Sequence, residues 1–247
     1  MEWGSLPSRT RKSAPRTSDG VRIYAIGDVH GCADLLARCF ACIDADIAAY
    51  PAPRVVHVLI GDYIDRGPQS RQVLDLLVRR GHHHRVVCLR GNHETYIHAF
   101  LREPAILGQW RHFGGLETLV SYGMTPSINP DEREQCELAA AFDRALPHSH
   151  RCFLASLKAA FACGDYFFAH AGIRPGVPLF AQHEQDLLWI REDFLLHEKD
   201  FGKIVIHGHT PVMEPDIRPN RINIDTGAYA TGRLTCLVLE GEDMTFI

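Results

Sequence analysis

The sequence predicts an α/β fold: two mixed β-sheets packed as a sandwich, flanked by helices, with a helical insertion at about 104–149. Three observations carry this. Short β-branched runs alternate three times with amphipathic stretches before residue 103, the pattern of a parallel sheet with crossover helices. The segment 104–149 then breaks the alternation. Beyond it, further apolar runs supply strands for a second sheet packed on the first, with helices outside both.

Residues 21–28 read as a short buried strand. Residues 33–50 follow as a helix with Leu35, Leu36, Phe40, Ile43 and Ile47 on one side, stopped by Pro51 and Pro53. The run 54–62 (VVHVLIGD) is the second strand. The next helix spans 69–80 and ends at Gly81. That leaves His82, His83 and His84 in a solvated helix-to-strand turn. Residues 85–92 (VVCLRGN) form the third strand and 94–102 its helix. Within the insertion, 131–146 is helical and Trp110, Phe113 and Tyr122 are aromatic, which places a helical cap beside the strand ends. The runs 165–172 and 203–209 are strands, with a helix at 186–195 between them. The runs 221–226 and 234–239 read as antiparallel strands, and 245–247 as a further short one.

At 247 residues and 46% hydrophobic content, the chain is one large domain with a full core. Residues 1–20, rich in Ser, Pro, Thr and Arg, read as a disordered arm preceding a domain at 21–247. The net charge of −4 argues against a duplex-DNA binder or a nuclease, each of which uses a basic surface. No apolar run approaches about 20 residues, so no membrane-spanning helix is expected. Eight cysteines without a signal peptide fit free thiols in a reducing, cytoplasmic setting. Cys39-x-x-Cys42 falls on a helical pattern with no second such pair, so zinc binding is not expected there.

Four segments stand where strands run out: Gly27-Asp28-Val29-His30-Gly31, Gly61-Asp62-Tyr63-Ile64-Asp65-Arg66-Gly67, Gly91-Asn92-His93-Glu94 and His207-Gly208-His209-Thr210. A fifth strand ends at His170. In open α/β sheets, ligands bind beyond the carboxyl ends of strands. Carboxylate, amide and imidazole groups without thiolate suit Mn²⁺, Fe²⁺ or Zn²⁺. Two such cations about 4 Å apart polarise phosphoryl oxygens and turn a shared water into hydroxide near neutral pH. A carboxylate that bridges both would set their separation. Asp28 and His30, two apart in extended chain, would point the same way. Asn92 and His93 are neighbours, so one can face a metal while the other faces substrate.

These segments, GDVHG, GDYIDRG, LRGNHE, a strand-end HAG and GHTP, resemble the phosphoprotein-phosphatase branch of the calcineurin-like metallophosphoesterases, in particular its bacterial and phage members. The resemblance spans residue 22 to about 240. It implies that two divalent metals, Mn²⁺ first, are held by Asp28 and His30, by a bridging Asp62, and by Asn92, His170 and His209. It implies His93 as the general acid, Asp65 as the carboxylate that keeps His93 cationic, and Arg66 as the phosphate-gripping residue. Arg191 matches a second phosphate-binding position less closely.

The activity expected first is that of a serine/threonine protein phosphatase acting on a phosphoprotein or phosphopeptide, with in-line attack by hydroxide. The alternative is a dinucleoside-polyphosphate hydrolase. Asp65 and GNHE favour the first, because that relative usually lacks an acid at the position of Asp65. A non-catalytic phosphate-binding module would tolerate a missing ligand, and every ligand position and the acid are filled. Of the remaining residues, His207 reads either as a donor to a metal ligand or as a plain strand-end residue, Arg90 as structural, Glu94 as a helix cap, Asp225 as part of a turn, and Tyr229 either as pocket-lining or as a packed surface residue.

Overall fold

The computed structural model describes residues 14–247. Two five-stranded mixed sheets form the frame. In the first, β1 (Val21–Ile26), β2 (Arg54–Leu59) and β3 (Val86–Cys88) run parallel, and β9 (Cys236–Glu240) and β10 (Asp243–Phe246) close the other edge antiparallel. In the second, β4 (Ala160–Cys163), β5 (Tyr166–Ala169), β6 (Ile204–His207), β8 (Arg221–Asn223) and β7 (Asp216–Ile217) lie in that order. There β5, β6 and β8 are parallel and the two edge strands antiparallel.

All six residues of β1 are buried, because both faces of that strand are covered. Ile23 and Ala25 point into the space between the sheets with Val58, Phe168, Ile206 and Leu237. Tyr24 and Ile26 point the other way, against α1 (Ala33–Ala49) and α2 (Ser70–His83). Alternation at period two thus serves two apolar layers at once. The outer face of the second sheet is covered by α8 (Glu184–Trp189) and α9 (Glu192–Leu195), with Phe194 fully buried.

The insertion contains α4 (Leu107–Trp110), α5 (Gly115–Ser121) and α6 (Glu132–Ala145), followed by α7 (His148–Ser156). It packs on α3 (Asn92–Arg102) and α2, and it carries the fully buried Trp110 and Phe142. A one-turn helix, α10 (Ala228–Thr231), completes the set.

Several expectations change. The runs at 221–226 and 234–239 do not pair with each other: β8 joins the second sheet beside β6, and β9 joins the first beside β1. The helix expected to end at Gly81 continues through His82 and His83. A Cβ on Gly81 would meet nothing, and the ladder runs on to the bond from His84 N to Arg80 O. Of the expected arm, residues 1–13 lie outside the described residues. Residues 14–19 are fastened to the domain: Thr17 is buried and exchanges two hydrogen bonds of 2.9 Å with Gly241. All eight cysteines are free; Cys39 and Cys236 are buried, whereas Cys42, Cys136 and Cys152 are exposed. Among the described residues no helix is long and apolar enough to cross a membrane.

Candidate dinuclear metal centre

Each strand of the site stops earlier than its apolar run suggests. β1 ends at Ile26, β2 at Leu59 and β3 at Cys88, so the ligand-type residues sit on loops just beyond the sheet. Asn92 opens α3 instead of ending a strand. The chain bends sharply in these loops. Five described non-glycine residues have φ in the left-handed region: His30 (43°), Asp62 (50°), Asp65 (72°), Arg66 (66°) and His209 (65°). Such conformations cost L-residues about 1–2 kcal/mol each. All five belong to the candidate site, the clustering expected where structure is held for function. His30 therefore reaches the site through a turn, not along extended chain.

Asp62 is the hub. It is 2% exposed, and its two oxygens face different partners. Oδ2 lies 3.5 Å from His30 Nε2 and 3.8 Å from His93 Nε2. Oδ1 lies 3.4 Å from His170 Nε2. The ring nitrogens on the far side of two of these imidazoles fix which nitrogen carries the proton. His30 Nδ1 is 3.0 Å from the Ile64 carbonyl, and His170 Nδ1 is 3.0 Å from the Ile60 carbonyl. A carbonyl can only accept, so each Nδ1 donates and each neutral Nε2 presents a bare lone pair toward a carboxylate. His170 Nε2 is also 2.9 Å from Asn92 Oδ1, and His209 Nδ1 is 2.8 Å from that same oxygen.

Acceptors that face acceptors inside a protein call for a cation between them. Burial presses the same way on the imidazoles. It lowers the pKa of His30 to about 3 and that of His209 to about 2, and it lowers that of His170, so all three are neutral at neutral pH, the form able to ligate a metal. Asp62 is the reverse case: burial raises its pKa, but the positive charge that His170, His93 and His30 take up when protonated outweighs burial and leaves it lowered. His30, Asp62 and His93 form one group of converging ligand atoms, and Asp62, His170 and His209 a second. Asp62 is common to both, as a bridging carboxylate must be. The residues therefore fit a pair of divalent cations.

Asp28 adjoins these groups without being a member of either. Its Oδ2 accepts from His209 N at 3.0 Å, and its buried Oδ1 has no hydrogen-bond partner. Burial, with Asp225 and Asp62 nearby, raises its pKa well above the usual range. A carboxylate oxygen with no donor is what a cation would satisfy. A Cβ on Gly208 would come within 2.2 Å of that oxygen, and one on Gly91 within 2.1 Å of Asp62 Oδ1, so glycine is required at both.

Asp65 is furnished differently. Its Oδ2 accepts from Trp110 Nε1 at 2.8 Å and contacts His93 Nδ1 at 2.7 Å, while its Oδ1 accepts from Thr118 Oγ1 at 2.6 Å. Burial opposes the charged form of His93, yet the carboxylates of Asp62 and Asp65 prevail and raise its pKa. Arg66 is half-buried; its amide donates to the Gly114 carbonyl at 3.3 Å, and its guanidinium lies 4.7 Å from the Tyr229 ring centre. Arg191 is exposed and donates to Thr210 Oγ1 at 3.0 Å, beside His209.

Five contributors were not legible as such. Trp110 and Thr118 come from the insertion and carry no motif. Glu94 does cap α3, accepting from Gly91 N at 2.8 Å, but it also accepts from Asp62 N at 3.1 Å and Tyr63 N at 2.8 Å and so clamps the hub loop. Asp225 forms its expected turn with Gly227 N at 2.9 Å, yet it is buried against Asp28. Tyr229 flanks both Arg66 and His30, with ring centres 5.5 Å apart from the latter. His207 and Arg90 behave structurally: His207 packs edge-on against Phe194, and Arg90 pairs with Glu184.

A two-sheet sandwich with paired ligand groups at its loop end defines a metal-dependent phosphoester hydrolase. Residues 21–233 match the calcineurin-like phosphoesterase family, and the chain belongs to it. Among curated relatives, a protein of Anoxybacillus flavithermus is 28% identical over 86% of this chain and 88% of its own length; it is named bis(5'-nucleosyl)-tetraphosphatase PrpE [asymmetrical]. Relatives from Geobacillus and Bacillus, at 28–30% identity, bear the same name. A crystal structure described as a candidate diadenosine tetraphosphatase superposes with a TM-score of 0.61 at 20% identity, covering 95% of this chain and 97% of that one. A cold-active protein-tyrosine phosphatase of a Shewanella species superposes at 0.56 with 14% identity, covering 98% and 84%. These two likenesses concern the fold.

Proposed function

We propose that the protein hydrolyses dinucleoside tetraphosphates, using two divalent cations, Mn²⁺ in the first instance. One observation carries the hydrolytic reading: a buried Asp62 with bare imidazole lone pairs turned toward each of its oxygens. The nucleotide substrate is supported by the name that several relatives across most of this chain's length share.

Asp28, His30, Asp62, Asn92, His170 and His209 would hold the cations, which supply Lewis acidity and an activated water. Arg66, steadied by the Gly114 carbonyl and the Tyr229 ring, grips phosphate oxygens, and Arg191, held by Thr210 beside His209, offers a second guanidinium. In hydrolysis, the water oxygen bonds to phosphorus and the bridging P–O bond breaks. Its electron pair stays on the leaving oxygen. His93, aligned by Asp65, gives that oxygen a proton and is recharged from solvent.

The serine/threonine phosphatase reading, which the sequence motifs place first, rests on Asp65 and Arg66. Those residues serve protonation and phosphate binding for any leaving oxygen, so they do not select a peptide. The test compares diadenosine tetraphosphate with a phosphoserine peptide in the presence of Mn²⁺. The expected result is a higher kcat/KM for the dinucleotide. Preference for the peptide would return the assignment to protein phosphatase.

A further inference from the structure

A dinucleoside tetraphosphate ends in two nucleosides, and the metal centre accounts for neither. Beside it, between α8 and α9, lies a pocket of about 430 Å³ lined by Arg174, Gln185, Asp186, Trp189, Arg191 and Glu192. That volume falls in the range of small-molecule sites, about 300–1,000 Å³. Two of its residues reach the metal centre. The Trp189 ring stands edge-on to the His209 ring at 6.0 Å between centres, and Arg191 is hydrogen-bonded to Thr210. Trp189 is half-buried and lines the pocket.

The charges in the pocket are unevenly satisfied. Arg174 pairs with Asp186 at 2.5 Å and with Asp193 at 3.2 Å, which spends both carboxylates on one guanidinium. Among the described residues no carboxylate pairs with Arg191, which leaves a cation facing the route from the pocket to the metals. Glu192, on the rim, offers an acceptor for sugar hydroxyls. A planar aromatic surface, a guanidinium without a carboxylate partner and a carboxylate are the groups that receive a base, a phosphate and a ribose diol respectively.

We propose that this pocket binds one nucleoside of the substrate, with the base against Trp189 and the first adjoining phosphates on Arg191. The inference rests on the tetraphosphatase reading. A phosphoserine or phosphothreonine side chain offers Trp189 no ring, so the pocket gives a reason for nucleotide preference over such peptides that the metal centre lacks. Because it lies to one side of the centre, it also makes the two halves of a symmetric dinucleotide inequivalent. That is the geometry an asymmetric cut into mono- and trinucleotide portions would use.

The test compares KM for diadenosine tetraphosphate and for p-nitrophenyl phosphate in the Mn²⁺-loaded wild type and in Trp189→Leu, Trp189→Phe and Gln185→Trp. Loss of base stacking should raise KM for the dinucleotide about tenfold in Trp189→Leu, well beyond any change for the aryl phosphate. Trp189→Phe, which keeps a ring, should recover most of the loss. Gln185→Trp, an exposed rim substitution that fills the pocket without touching His209, should reproduce the selective rise even if Trp189→Leu folds poorly. Equal shifts for both substrates in Gln185→Trp, and in Trp189→Leu where it folds, would overturn the pocket while leaving the tetraphosphatase reading standing. A wild type that cleaves p-nitrophenyl phosphate but not the dinucleotide would overturn both.

Discussion

Asp62 and Asp65 stand three residues apart in one loop, both buried, both with left-handed backbone, and the protein treats them as opposites. Around Asp65 both oxygens are met by donors: Thr118 on one, Trp110 and His93 on the other. Around Asp62 the one donor to the carboxylate among the described residues is the His93 amide, at 3.2 Å on Oδ1, and the imidazole lone pairs of His30 and His170 face its two oxygens. One carboxylate is a finished hydrogen-bond network; the other is incomplete without a cation. The difference teaches that burial of a carboxylate does not reveal its role. The identity of what faces it does.

The sharpest way to break this contrast is Asp62→Asn. The amide is nearly the same size but carries no charge to bridge two cations. Metal-assisted charge stabilisation is worth several kcal/mol, so activity should fall by about a thousandfold or more. Metal content, measured on the purified protein after dialysis against Mn²⁺, should fall below two ions per chain. Full occupancy with unchanged turnover would remove Asp62 from the centre.

The second comparison moves to the far end of the Asp65 network. His93→Asn removes the acid but no proposed ligand, so metal content should hold while kcat drops about 10²–10⁴-fold. The drop should depend on the leaving group. p-Nitrophenolate leaves without a proton, so hydrolysis of its phosphate should suffer less than hydrolysis of an alkyl phosphate. Equal losses on both, or loss of metal, would place His93 with the ligands, beside His30 and Asp62, with which its ring nitrogen converges.

These two residues also mark where the sequence could and could not be read. Asp62, Asn92, His170 and His209 stand in short glycine-flanked segments at the ends of apolar runs, and ligand chemistry tolerates few substitutes, so type and position were both visible. The parallel pair β1–β2 was visible because strands buried over most of their length spell out continuous apolar runs. The partners of Asp65 were not visible. Trp110 and Thr118 lie 45 and 53 residues away, in helices whose apolar pattern reports only that one face is covered. A tryptophan that donates from Nε1 and one that merely packs look alike in sequence. Strand pairing failed likewise: β8 and β9 are consecutive strands in sequence, and nothing local says that they belong to different sheets.

The insertion's part in the contrast supplies the smallest expected effect and the finest probe. Thr118→Val is close in shape and removes one donor to Asp65 Oδ1 together with an acceptor for the Asp65 amide. Ser70 Oγ also accepts from that amide at 3.0 Å, so the loop keeps one of its two anchors. The carboxylate loses a restraint but stays bonded to His93 and Trp110. Residues that orient a working group through hydrogen bonds typically cost about 10–100-fold when removed. With one donor of three lost, Thr118→Val belongs at the lower end of that range. Its signature should copy that of His93→Asn in miniature: metal retained, the alkyl phosphate affected more than p-nitrophenyl phosphate, and the larger share of the loss in kcat. A loss that falls equally on both substrates would mean that Thr118 supports the fold of the insertion and not the aim of His93. The chemical contrast between Asp62 and Asp65 would then end at the loop that carries them both.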